Sequence, residues 1–99
     1  MSQVTFRTEY QGKKAVVVAG WDVPLSGYFL TVYLDDPSSD DYIWSNLDSL
    51  EPWTSTVEPY VEQLQVMGIE APVGFWEKVK VQEGNVFWNW SGDQWVLGN

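Results

Sequence analysis

The sequence predicts an α+β fold: an antiparallel sheet of three to four strands, a C-terminal Trp-rich hairpin, and one or two helices packed on one face of the sheet. Three observations predict it. Near the N-terminus, apolar and polar residues alternate with the period of two that half-buried strands require. Around residue 60, apolar positions recur at helical spacing behind a helix-start signal. The tail then returns to strand periodicity about a Gly-Asp turn. Strands first and helices later argue for helices gathered on one face of an antiparallel sheet.

The first strand is read from Val4, Phe6 and Thr8 alternating with Thr5, Arg7 and Glu9, and Gln11-Gly12-Lys13 reads as its hairpin turn. Ala15 to Ala19 is a β-branched run suited to a central strand buried on both faces. Gly20 to Gly27 reads as a loop: glycines bracket it, Asp22 is placed to bond forward to the backbone, and Pro24 restrains Val23. Tyr28 to Leu34 is a third strand, with Tyr28, Leu30, Val32 and Leu34 on its core face and Phe29, Thr31 and Tyr33 on the other. Tyr42-Ile43-Trp44 reads as a short fourth strand, and Asn46 to Thr54 stays ambiguous between loop and structure.

Ser55-Thr56-Val57-Glu58 has capping-box spacing, predicting a helix over about Thr56 to Met67 that ends at Gly68, with Ile69 folding back on Leu64. Pro72 opens a second short helix running to about Val79, with Phe75, Trp76 and Val79 on its apolar stripe. In the tail, Val86, Trp88 and Trp90 alternate with Phe87 and Asn89, and Gln94 to Leu97 returns as the partner strand.

Composition narrows function chiefly by exclusion. A chain of 99 residues is one domain, residues 1–99, able to bury roughly two thirds of its unfolded surface. With 44% hydrophobic and 16% aromatic residues it has material for a packed core. Without a long apolar run or a basic, apolar leader, it is expected in the cytoplasm. Cysteine is absent, removing disulfides, thiolate nucleophiles and zinc-thiolate sites. Histidine is absent too, removing the usual general base and every Ser-His or Cys-His arrangement. Catalysis would have to rest on paired carboxylates, a lysine, a tyrosine or an oxygen-ligated metal. No Gly-rich phosphate loop is present, and the aspartates of residues 35–41 lack the glycine and closing Glu of a calcium loop. The reading is therefore of a non-enzyme with no cofactor and no bound metal.

Charge points toward partners. Acidic residues number 14 against 5 basic, a formal net charge of -9, and no Lys or Arg occurs between Ala15 and Glu77. Such a field repels nucleic acid and anionic lipid and attracts basic protein surfaces. Aromatics interleave with the carboxylates, and aromatic side chains anchor protein interfaces because they offer large area with little entropy to lose. The expected contact surface is Asp35, Asp36, Asp40, Asp41, Asp48 and Glu51, with Tyr42 and Trp44 as anchors. Its sharpest form is a nucleic-acid mimic docking on the basic groove of a DNA- or RNA-handling complex. The plain alternative is acidity that only maintains solubility. Two other classes stay open: an accessory protein that self-associates through Trp88 and Trp90 of the tail hairpin, and a small-ligand or carbohydrate binder using tryptophans and a carboxylate.

Gly20-Trp21-Asp22, Pro24-Leu25, Tyr28-Phe29-Leu30, Ser45-Asn46-Leu47, Met67-Gly68-Ile69 with Pro72, and Gly84-Asn85 carry a resemblance over residues 4–85. On these motifs the chain resembles a family of small uncharacterised proteobacterial proteins. The Trp-rich segment from Val86 onward departs from that pattern. The resemblance implies a bacterial or phage source and a strand-rich domain with a helix, and it transfers no functional residue. In size and charge alone the chain is also similar to acidic phage-encoded inhibitors of restriction or CRISPR complexes.

Overall fold

The computed structural model describes residues 2–35, 42–48, 53–81 and 86–98. Strands β1 (Gln3–Tyr10), β2 (Lys13–Asp22), β3 (Gly27–Leu34) and β4 (Tyr42–Ser45) lead into a 3-10 turn, Asn46–Asp48. Helices α1 (Glu58–Met67) and α2 (Phe75–Val79) follow, then strands β5 (Phe87–Ser91) and β6 (Gln94–Leu97). All six strands form one sheet in the order β4-β3-β2-β1-β5-β6. Neighbours pair antiparallel except β1 and β5, which run parallel with Gln3, Val4 and Thr5 opposite Phe87, Trp88 and Asn89.

The α+β class is observed, but three to four antiparallel strands with a separate hairpin understates the sheet. The tail hairpin is joined to β1 and makes the sheet mixed. Alternation reports which side of a strand is buried and carries no information about its neighbour, and a parallel pairing between the two ends of the chain leaves no turn signal.

Local chemistry explains most boundaries. Gln11 and Gly12 adopt φ of 52° and 78°, the left-handed pair that a two-residue hairpin needs, and Gly92 and Asp93 do the same between β5 and β6 at 57° and 64°. The loop expected from Gly20 to Gly27 is shorter than the sequence suggests, because Gly20, Trp21 and Asp22 belong to β2. Gly20 serves a close approach and no turn: a methyl group there would collide with the Ser2 carbonyl. Trp21 packs edge-on against Tyr28 at 4.8 Å, and the Leu25 amide donates to an Asp22 carboxylate oxygen at 3.2 Å, closing the turn.

The helix over 56–67 is found, starting later than expected and without its capping box. Val57 is the N-cap, and no side chain caps the end. Pro59 is the cause: a helix starting at Ser55 would need the bond from residue 59 to the carbonyl of residue 55, and proline has no N–H to make it. At its other end Gly68, at φ 73°, and Ile69 donate to the carbonyls of Gln65 and Leu64 at 3.0 and 2.9 Å, the expected Schellman closure. Helix α2 begins after Gly74, whose φ of 85° is left-handed, so Pro72 and Val73 stay outside it.

Both helices lie on one face of the sheet. The core joins Val4, Phe6, Val17, Leu30 and Val32 from the strands to Tyr60, Leu64, Phe75 and Val79 from the helices. Phe75 is fully buried and meets Phe6 edge-on at 4.9 Å while stacking on Trp95 at 6.2 Å. One α2 side chain thus ties the first strand to the last.

Candidate functional site

The expected contact residues concentrate on both sides of β4 in the sequence, and among the described residues β4 is an edge of the sheet, paired with β3. Its register places Trp44 beside Val32 and Tyr42 beside Tyr33, with an irregularity between Val32 and Tyr33. Val32 faces the core, so Trp44 turns inward, half-buried, and meets Tyr60 at 6.4 Å. Tyr42 turns to the opposite face, where it is 47% exposed. The two anchors therefore do not share a surface. Regular alternation would keep residues two apart on one face, and the irregular register puts these two on different sides.

Asp35 directly follows β3, where its carboxylate lies 3.4 Å from the Arg7 guanidinium and its amide donates to the Lys14 carbonyl at 2.9 Å. Asp48 belongs to the 3-10 turn. Asp36, Asp40, Asp41 and Glu51 lie outside the described residues.

The sheet face turned away from the helices carries Thr5, Val16, Val18, Phe29, Thr31 and Tyr33. Trp53 covers part of it, packing against Phe29 at 6.1 Å and close enough to Gly27 that an added methyl would meet the Trp53 Cβ at 2.7 Å. Thr54 forms an isolated bridge with Tyr28 that holds this segment to β3. A groove remains between β3, β4 and Trp53, with Tyr33, Tyr42 and Leu47 exposed around it. Sequence reasoning assigned Tyr33 to the non-core face without naming it as a contact residue. Leu47 carried no signal beyond being apolar.

Tyr60 reaches between α1 and β3, and its acidity is displaced. Burial pushes its phenol above the ordinary 10.0, against the opposing effect of hydrogen bonds with Thr54, and its hydroxyl donates to the Tyr28 carbonyl at 2.8 Å.

The tail tryptophans form an aromatic cluster facing α2. Trp88 and Trp90 are half-buried against the core, Trp90 meets Trp95 at 5.0 Å, and the Trp95 indole donates to the Val73 carbonyl at 2.8 Å. The Lys78 ammonium sits over Trp88 at 4.4 Å and near Trp95 at 5.7 Å, a double cation–π contact. Two grooves on the helix side each bring one tryptophan near one carboxylate, Trp76 with Glu70 and Trp88 with Glu77. Among the described residues no three His, Cys, Asp or Glu side chains gather as a metal site, and no helix is long and apolar enough to cross a membrane. No family model, curated protein or solved structure matches the chain.

Proposed function

We propose that the protein is a non-catalytic acidic module that binds a basic protein surface, in its sharpest form a nucleic-acid mimic occupying the groove of a bacterial DNA- or RNA-handling complex. The observation that carries this reading is the β4 edge. It is flanked in sequence by Asp35, Asp36, Asp40, Asp41, Asp48 and Glu51, within a span that holds no cation, and it presents Tyr42 to solvent. Carboxylates gathered around an exposed tyrosine favour a cationic partner, and complementary charge speeds encounter. Tyr33 and Leu47 add apolar area beside Tyr42. Trp44 acts from behind, stiffening the strand through Tyr60.

The test is capture of the partner from bacterial lysate, followed by titration of the purified pair. Binding is expected to weaken about tenfold or more between about 50 and 200 mM salt, and to compete with the partner's own nucleic acid. Changing Asp36, Asp40 and Asp41 to Asn is expected to reduce affinity. A complex indifferent to salt and to these substitutions, or one that binds nucleic acid and this protein together, overturns the reading.

A further inference from the structure

The two edges of the sheet differ in charge. Acidic residues flank β4, whereas Gln94 to Gly98 contains no charged residue and no proline. Exposed edge strands invite pairing unless a charge, a proline or a bulge blocks it, and β6 carries none of these. Its backbone polarity is fixed by its partner. The Gly98 amide donates to the Phe87 carbonyl at 2.8 Å, so alternation directs Gln94, Val96 and Gly98 toward β5 and turns the backbone groups of Trp95 and Leu97 outward. No described residue pairs with that outer side. The Val96 and Leu97 side chains are 42% and 63% exposed.

We infer that β6 is a self-association edge, on which two copies pair their β6 strands antiparallel about a two-fold axis at Val96 and extend one sheet across both molecules. In this register the Trp95 amide donates to the carbonyl of the partner's Leu97, the Leu97 amide donates to that of the partner's Trp95, and symmetry repeats both bonds. Val96 then faces its own copy at the non-hydrogen-bonded position, where side chains approach closest.

Charge selects a second copy at this edge. Two chains of net charge -9 repel, and the repulsion is weakest where carboxylates are fewest. Among residues 86–98 the only charged side chain is Asp93, and the Lys78 ammonium lies behind the same hairpin over Trp88. The interaction uses backbone and Val96, with Trp88 and Trp90 remaining packed toward α2. Because β4 and β6 are opposite ends of the sheet, a dimer leaves the β4 edge open for a basic partner.

The experiment is sedimentation of the full chain over a range of concentrations at low and high salt, with amide hydrogen exchange. The expected result is a monomer–dimer equilibrium that added salt strengthens, because screening relieves the mutual repulsion, opposite in sign to the salt effect on a basic partner. The Trp95 and Leu97 amides gain protection as concentration rises. Leu97→Pro removes one outward donor from each copy and is tolerated at an edge, and it weakens dimerisation about tenfold or more. Val96→Lys sets like charges face to face and weakens it as well, while circular dichroism of either variant matches the parent. A monomer at every concentration and salt overturns the inference. So does a dimer that both variants leave intact, or one whose Trp95 and Leu97 amides stay unprotected.

Discussion

Truncating Phe75 to alanine tests the claim that α2 ties the first strand of the chain to the last. The ring is fully buried between Phe6 at 4.9 Å, Trp76 at 4.8 Å and Trp95 at 6.2 Å. Losing a buried Phe side chain costs about 3–5 kcal/mol, and the upper half applies where neighbours are too stiff to fill the space, as three aromatic rings are. Against a total stability of about 5–15 kcal/mol that is a large fraction. With a urea m-value of about 2 kcal/mol/M, a loss of about 4 kcal/mol lowers the unfolding midpoint by about 2 M. The assay is urea denaturation followed by tryptophan fluorescence and far-UV circular dichroism together. Phe75→Leu, which keeps most of the volume, is expected to lose about 1–2 kcal/mol. A loss below about 1.5 kcal/mol for the alanine variant would refute the reasoning, since no ring would then have depended on Phe75.

Gly20→Ala is expected to cost about 1–3 kcal/mol and to expose the Ser2 amide, bonded to the Trp21 carbonyl at 3.0 Å, to hydrogen exchange, because the added methyl displaces the Ser2 carbonyl. Tyr60→Phe is expected to cost about 1–2 kcal/mol, measured by thermal unfolding, because the Tyr28 carbonyl loses the bond from the Tyr60 hydroxyl at 2.8 Å. The raised pKa of Tyr60 means that the folded state holds its phenolic proton more tightly than the unfolded chain. Its contribution is complete below the ordinary 10.0 and is lost as pH rises through the folded-state value, so a base titration of stability should fall less steeply in Tyr60→Phe. Arg7→Gln is expected to change stability by less than about 0.5 kcal/mol in chemical denaturation, because the Arg7 side chain is 78% exposed and its contact with Asp35 is screened.

How much of this was legible in the sequence depended on range. The faces of β1 and β3 follow from alternation alone, and Val4, Phe6, Leu30 and Val32 are buried as their phase requires. The closure at Gly68 and Ile69 was legible because every atom it uses lies within one turn of helix. Ser55 was misread because the capping pattern is local while Pro59, four residues on, removes the bond it presupposes. Gly20 was misread as a loop residue because its reason for being glycine is the Ser2 backbone, distant in sequence. The site was legible as composition more than as geometry. Tyr42 and Trp44, two residues apart, would share a face in a regular strand, and the irregular register between them sends them to opposite faces.

The parallel contact between β1 and β5 also sets an order of events during synthesis. β1, β2 and β3 pair with their sequence neighbours and have little chain to close, whereas Gln3, Val4 and Thr5 wait for Phe87, Trp88 and Asn89. At about 5–20 residues per second, translation leaves the outer side of β1 unpaired for several seconds after its own residues emerge. Throughout that interval the nascent chain presents Val4 and Phe6 without the Trp-rich hairpin beside them. The tail therefore behaves as a late-arriving seal, closing an edge of β1 that stays open until the last residues of the hairpin are made.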